Sequence, residues 1–124
     1  MADLQLALII APPGRLRDSL RVLLRASERV TRIAMADDGR SGLRQIAALN
    51  PGLVVIDADL PEDEAWHIAP IMGRSTSECG CLIITHNPQQ AHRAHQIGVA
   101  AILADDFSTA AFLQAVPANT QQGD

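Results

Sequence analysis

The chain has 124 residues and a formal net charge of −4 at pH 7, and 48% of its residues are hydrophobic against 19% charged. This size and composition indicate one globular domain with an apolar core and exclude a disordered chain. The acidic balance, the low aromatic content of 2% and the lack of a basic stripe exclude a nucleic-acid-binding surface in this domain.

The first half of the chain alternates apolar runs with helical patterns. Residues 4–10 predict a first strand, and leucines recur from Leu16 onward at i, i+4, i+7 and i+8, the spacing of an amphipathic helix. Residues 30–35 predict a second strand, and residues 42–49 predict a second helix. The inward face of that helix is predicted to consist of Leu43, Ile46 and Ala47.

The middle of the chain continues the alternation. A fully apolar run at 53–56 predicts a buried third strand, which stops at Asp57. A short helix, weakened by Pro70, is predicted around 64–72. The apolar run at 81–84 predicts the fourth strand.

The last third of the chain carries two helix-start signals. Asn87-Pro88 is a suitable N-cap and first-turn pair for a helix that ends at Gly98. Residues 100–103 predict the fifth strand, and Ser108 caps a last helix. The polar residues 118–124 are predicted to be a tail or linker outside the domain.

Five strand–helix units predict an α/β domain over residues 1–117 with a doubly wound, five-stranded parallel sheet of order 2-1-3-4-5, a flavodoxin-like (βα)5 sandwich. Reactive groups of such folds gather beyond the carboxyl ends of the strands. The residues expected to meet there are 11–14, Asp57, Thr85-His86 and Asp105-Asp106.

A phosphate or nucleotide site at this crevice is disfavoured. Backbone N–H groups after strand 1 would have to hold the phosphate, but Pro12 and Pro13 have none to donate. The stretch IIAPPGRL at 9–16 matches neither the dinucleotide-binding nor the P-loop glycine pattern. A small-molecule-binding doubly wound domain therefore stays an alternative without a binding motif.

Two long stretches carry a family resemblance. They are ADDGRSGLRQIAALNPGLVVIDADLP at 36–61 and IITHNPQQAHRAHQIGVAAILADDFSTAAFLQAV at 83–116. Together they resemble the receiver domain of bacterial two-component response regulators, and the resemblance covers residues 4–116. It implies a signalling module that accepts a phosphoryl group from a histidine kinase on an aspartate, with bound Mg²⁺, and that is not itself classed as an enzyme.

The resemblance also implies roles for three residues. Asp57 is the phosphoacceptor, Thr85 is the switch hydroxyl, and Asp59 lies where a backbone carbonyl ligates Mg²⁺. A carboxylate is a poor nucleophile toward an anionic phosphoryl group, so the reaction needs a metal ion and a lysine to neutralise charge.

The sequence departs from the family pattern where that charge would be neutralised. Ala11 and Pro12 occupy the acidic-pair positions, and neither offers a side-chain oxygen to Mg²⁺. Asp105 stands at the lysine position, Ile102 at the aromatic switch position, and His86 at a position that is usually small. We therefore expect a pseudo-receiver with no metal site and no cofactor, Mg²⁺ being required only if phosphorylation is retained.

Asp105 also changes the expected charge balance of the crevice. Two carboxylates about 6 Å apart repel by roughly 3 kcal/mol at an effective dielectric constant of about 20. We therefore expect Asp57 and Asp105 to repel or to share a proton, and we expect Asp105→Asn to be stabilising. A substitute metal site made by Asp57, Asp59 and Asp105 is an alternative.

The preferred interpretation is a signalling module that works by contact with a protein, either a histidine kinase or an output domain. A homodimer through helix 4, strand 5 and helix 5 is a further expectation.

No membrane contact is expected, because no apolar stretch reaches the roughly 18 residues of a span. Cys79 and Cys81, spaced C-x-C, predict free thiols of a cytoplasmic protein. The alternative within the family is a receiver that is still phosphorylated on Asp57.

Overall fold

The computed structural model describes residues 3–75, 79–99 and 101–116 of the chain. Its strands are β1 (Asp3–Ile10), β2 (Arg32–Ala36), β3 (Pro51–Asp57), β4 (Gly80–Thr85) and β5 (Ala101–Ala104). Its helices are α1 (Arg15–Ala26), α2 (Gly39–Leu49), α3 (Glu64–Ser75), α4 (Pro88–Ile97) and α5 (Thr109–Ala115), with a 3-10 turn at Pro61–Asp63 before α3. The predicted tail at 118–124 and residue 100, predicted to begin the fifth strand, lie outside the described residues.

The strands form one sheet in the order β2-β1-β3-β4-β5, and every neighbouring pair is parallel. The predicted flavodoxin-like topology is therefore confirmed. Asp57 pairs with Ile84, and Thr85 pairs with Ala104. The carboxyl ends of β3, β4 and β5 consequently finish side by side. In the described part of the chain, no helix is long and apolar enough to cross a membrane.

The sheet separates two apolar cores, because successive strand residues point to opposite faces. Ile10 enters the core that contains Trp66 of α3, whereas its neighbour Ile9 enters the core that contains Phe112 of α5. Every residue of β3 is buried, including the terminal Asp57. The candidate phosphoacceptor position thus stands at the end of a fully packed central strand.

Of the three residues predicted to form the inward face of α2, only Ile46 is partly buried and packs against the core. Leu43 is 38% exposed and Ala47 is also exposed, whereas Gly42 is buried against β1. A Cβ atom at Gly42 would lie 2.6 Å from Cδ1 of Ile10, so only glycine permits this approach. The apolar pattern predicted the helix correctly, but the close packing at Gly42 turns the helix so that Leu43 and Ala47 of the predicted face are exposed.

Two strands begin two residues away from their predicted starts. β2 begins at Arg32, and Val30 is a buried residue before it. β3 begins at Pro51, immediately after Asn50 ends α2 in the left-handed conformation with φ 51°. Proline is tolerated as the first residue of a strand, so the Asn-Pro pair both ends the helix and starts the strand.

Candidate functional site

Three acidic or polar strand ends meet at the carboxyl edge of the sheet, as the topology predicted. Asp57 ends β3 and Thr85 ends β4, and both are buried at 6% and 3% exposure. The N–H group of Asp105, which follows β5, donates to the carbonyl of Thr85 at 2.8 Å. Backbone hydrogen bonds between neighbouring strands therefore hold Asp57 and Asp105 on either side of β4.

The Asp57 carboxylate has two partners on one oxygen. Its Oδ1 accepts a hydrogen bond from the backbone N–H of Asp59 at 2.8 Å. The same Oδ1 lies 2.7 Å from Nε2 of His86. An ionised carboxylate is acceptor-only, so His86 must donate from Nε2.

The second ring nitrogen of His86 also faces carboxylates. Nδ1 lies 3.1 Å from Oδ2 of Asp105 and 3.5 Å from Oδ2 of Asp59. A neutral imidazole carries only one N–H, whereas acceptor-only groups on both sides require two. The arrangement is therefore that of an imidazolium cation among three carboxylates.

The electrostatics of the site agree with this charge state. Burial by itself lowers the pKa of His86, since its side chain is only 21% exposed. The hydrogen bond to Asp57 and the negative charges of Asp57, Asp59 and Asp105 together exceed that effect and raise the pKa above its ordinary value. The folded chain thus favours protonated His86.

Gln90 in the first turn of α4 connects the loop after β3 with the loop after β4. Its backbone N–H donates to the Asn87 side chain at 2.9 Å, which is the predicted N-cap. Its side-chain oxygen accepts from the backbone N–H of His86 at 2.7 Å, and its Nε2 donates to Oδ1 of Asp59 at 2.8 Å. One side chain therefore positions both the histidine backbone and the Asp59 carboxylate.

The predicted switch residues lie on β4 and β5. The Thr85 hydroxyl donates to the carbonyl of Leu103 at 3.4 Å, across to the neighbouring strand. Ile102, at the aromatic switch position, is half-buried and packs against the core on the α3 side. An aliphatic side chain held this way cannot supply the ring that the family resemblance would place there.

The residues at the carboxyl end of β1 do not fit a Mg²⁺ site. Ala11 is fully buried, its N–H donates to the carbonyl of Ala36 at 3.0 Å, and neither it nor Pro12 has a side-chain oxygen. Mg²⁺ requires near-octahedral oxygen ligands. Of the ligand set that the resemblance implies, only the Asp57 carboxylate and the Asp59 carbonyl are left, and His86 already binds Oδ1 of Asp57.

A second cation arrangement also fits poorly. Asp57, Asp59 and His86 offer ligand atoms within 4.8 Å of one another. However, Asp57 lies against Nε2, whereas Asp59 lies nearest Nδ1. One metal ion can take only one of these two nitrogens. The hydrogen-bonded imidazolium therefore accounts for this geometry better than a metal ligand does.

The His86–Asp105 edge of the site opens into a cleft of about 670 Å³. Arg15, Asp18 and Val22 of α1 form one wall, and Phe107 stands on the other side. Asp57, Asp59 and Asp105 around His86 are called the acidic site below. Small ions in solution can therefore reach the His86–Asp105 edge of the acidic site from the α1 side.

The expectation that Asp57 and Asp105 repel each other directly is wrong, because His86 lies between the two carboxylates. Asp105→Asn removes one ion pair from the imidazolium and should lower the free energy of unfolding by about 0.5–1 kcal/mol near pH 6, since Asp105 is 48% exposed. Urea unfolding measures the change, with Asp106→Asn at the adjacent exposed carboxylate as control. A more stable Asp105→Asn chain would restore the repulsion hypothesis.

The sequence predicted that His86 lies at the crevice beside Thr85, as an unusually large residue, but it did not predict the contacts of His86 with the carboxylates, and it did not indicate Gln90. The sequence nevertheless contains a signal for the role of each residue. His86 ends the same sheet edge as Asp57, and Gln90 follows the Asn87 cap at the position from which a glutamine side chain reaches back to the helix start. What the sequence could not provide is the direction of the imidazole ring.

Comparisons with known proteins agree with the observed fold. The model of the response regulator receiver domain matches residues 8–117. The signal receiver domain of NarL from Mycobacterium tuberculosis is 24% identical, with a TM-score of 0.76, over 96% of this chain and 97% of that chain. A CheY-like receiver domain protein from Methanospirillum hungatei JF-1 is 16% identical, with a TM-score of 0.78, over 97% and 96%.

A LuxR-family two-component response regulator from Aurantimonas sp. SI85-9A1 is 19% identical, with a TM-score of 0.79, over 94% of this chain and 85% of that chain. At such identities these structures show the shared fold alone. No curated protein matches the sequence.

Proposed function

The chain belongs to the response regulator receiver domain family, and from this premise we propose that it is a signalling module, not an enzyme, in which phosphorylation of Asp57 is impaired. The observation that carries the proposal is the 2.7 Å contact between His86 Nε2 and Asp57 Oδ1. One of the two carboxylate oxygens that could attack a phosphoryl group is already bound by a side chain of the same protein.

The surroundings of Asp57 support the same proposal. Phosphoryl transfer to a carboxylate needs positive charge that stabilises the transition state. Ala11 and Pro12 supply no metal ligand at the end of β1, and Asp105 places a negative charge at the lysine position. A phosphoryl group on Asp57 would add about two negative charges beside Asp59 and Asp105. The product would be poorly stabilised and the reaction slow.

Intact mass after incubation with Mg²⁺ and acetyl phosphate tests this function. We expect the wild-type chain to show no phosphoryl adduct above the level of Asp57→Asn, which cannot form the acyl phosphate. A receiver with the acidic pair and the lysine in place should be modified in parallel and serves as the positive control. A wild-type adduct that Asp57→Asn lacks would establish a phosphorylation-competent receiver with Mg²⁺ as its cofactor.

Without phosphoryl chemistry, we propose that the domain signals by protein contact, with a histidine kinase or an output domain as the class of partner. The contact surface that we favour includes α4, β5 and α5. Helix α4 exposes His92, His95 and Gln96, and Arg93 lies 4.9 Å from the Trp66 ring centroid. These polar side chains can form the self-complementary contact of a two-fold homodimer, which sedimentation at rising concentration would detect.

We expect this contact to take place in the cytoplasm. Cys79 and Cys81 are free, and burial raises their pKa to about 11 and about 12, so both stay as unreactive thiols. Free thiols are usual in a reducing compartment.

A further inference from the structure

We propose that the outer face of helix α2 is a docking surface for an amphipathic helix of another protein, one that carries a row of acidic side chains beside an apolar ridge. Helix α2 packs beside β1 and β2, whereas α4, β5 and α5 lie at the other edge of the sheet. The contact is therefore separate from the α4, β5 and α5 surface and goes beyond the proposed function.

The first component of this face is an apolar ridge. Leu43 is 38% exposed, and Ala47, about one helical turn later, is also exposed. Side chains four residues apart form one ridge on the surface of a helix. The neighbouring helix α3 packs on the same side of the sheet and leaves Ile71 47% exposed. A row of exposed apolar side chains, unlike a single one, indicates a contact site.

The second component is a basic ridge beside the apolar one. Arg40 and Arg44, again four residues apart, are both exposed, and α2 contains no acidic residue. In the part of the chain that the structure describes, neither arginine makes an ion pair. Arg40 stands in the first turn of α2, where the helix dipole disfavours a basic side chain. Helix stability therefore does not account for this charge, whereas attraction to an acidic partner does.

Three contacts fix the direction in which this face points. Gly42 packs so closely against β1 that a Cβ atom on it would lie 2.6 Å from a side-chain atom of that strand. The N–H group of Gly39 donates to Oε1 of Glu64 at 2.8 Å, and Nε2 of Gln45 donates to the carbonyl of Met35 at 2.9 Å. Both ridges are thus in place before a partner arrives, and binding does not have to order the helix.

The charges of the face decide between a second copy of this chain and another protein. A two-fold contact would place the same face against itself and bring the arginines of both copies into one interface, where they repel. A helix with an apolar ridge beside a row of carboxylates complements both ridges of α2. The apolar contact supplies affinity, and the carboxylates opposite Arg40 and Arg44 give specificity and orientation.

Fluorescence anisotropy with a synthetic helical peptide tests the proposal. The peptide has about 20 residues, so that it forms a helix, with leucines along one ridge and glutamates along the adjacent ridge. We expect saturable binding to the wild type and at least about tenfold weaker binding to Leu43→Gln and to Arg44→Glu. Arg25→Glu, the same change at an exposed position of α1, is the matched control and should bind as the wild type does.

Charge reversal makes the result decisive. Arg40→Glu/Arg44→Glu should bind a peptide with lysines in place of the glutamates at least about tenfold more tightly than the glutamate peptide. This variant and Arg44→Glu change only exposed side chains, so they carry the test if Leu43→Gln does not fold.

Three results would overturn the proposal. The first is that the wild type does not bind the glutamate peptide. The second is an equal loss of affinity in Arg25→Glu and Arg44→Glu, which would mean that the attraction is not specific to α2. The third is self-association of the wild type in sedimentation that Arg44→Glu or Leu43→Gln abolishes, because a second copy of the chain would then cover α2.

Discussion

Replacement of His86 by alanine is expected to lower the free energy of unfolding by about 2 kcal/mol near pH 6, and by much less at alkaline pH. The cause is the loss of the cation that the Asp57 carboxylate binds at 2.7 Å. Breaking a fully buried ion pair costs about 3–5 kcal/mol, and His86 is 21% exposed, which reduces this cost. Asp57 keeps its hydrogen bond from Asp59, so the loss is partial.

The pH dependence follows from the raised pKa of His86 in the folded chain. Its unfolded value is near 6.5, and the folded value lies above it because the carboxylates of Asp57, Asp59 and Asp105 outweigh the effect of burial. The stabilisation is therefore fully present below the unfolded pKa and is lost as the pH rises through the folded pKa. Arg15 and Asp18 of α1 line the adjoining cleft and complete the charged groups around the ring.

Urea unfolding of the wild type and His86→Ala at several pH values between about 5 and 9 measures this effect. The stability difference between the two chains should shrink as the pH rises. His92→Ala, at an exposed position of α4, is the control and should show a small difference that does not follow this trend. A difference in the free energy of unfolding between the wild type and His86→Ala that is constant, or that grows toward alkaline pH, would contradict the assignment of His86 as an imidazolium.

The second large effect is expected at Phe112. Phe112→Ala should lower the free energy of unfolding by about 3–5 kcal/mol, a large part of the 5–15 kcal/mol that is typical of a whole domain. Phe112 is fully buried, it joins the core that also contains Leu20 and Ile84, and its ring lies 5.5 Å from that of Phe107. It is the largest fully buried side chain of the described residues.

The loss should also weaken the attachment of α5 to the sheet. Helix α5 has only seven residues, so its attachment depends on this ring rather than on helix propensity. Urea unfolding gives the magnitude, and Val22→Ala, at a side chain that is 63% exposed, is the apolar control. A change below about 1 kcal/mol at Phe112 would mean that the core collapses around the smaller side chain.

The order of elements and the location of the site could be predicted because they depend on patterns along the chain. Alternating apolar runs and helical spacings specify a parallel sheet, and the topology then brings Asp57, Thr85 and Asp105 to one edge. These inferences need no knowledge of side-chain direction, and all of them agree with the structure.

The differences arise where two distant segments decide the outcome. The buried face of α2 depends on the contact of Gly42 with Ile10, thirty-two positions away by their numbers, and no local pattern reports it. The repulsion expected between Asp57 and Asp105 was reversed by the single ring of His86, which reaches both. The sequence identifies the charged residues of a site. Whether two like charges repel directly or share a counter-ion depends on the side chain that lies between them.

The Gln90 side chain makes the acidic site and helix α4 thermodynamically interdependent. It holds Asp59 through Nε2 and the His86 backbone through its side-chain oxygen, while its own backbone belongs to the first turn of α4. A partner that binds α4 more tightly in one arrangement of these contacts must change the proton affinity of His86, and protonation must change the affinity for that partner by the same factor. The charge of His86 and binding at α4 are thus linked through a single glutamine side chain.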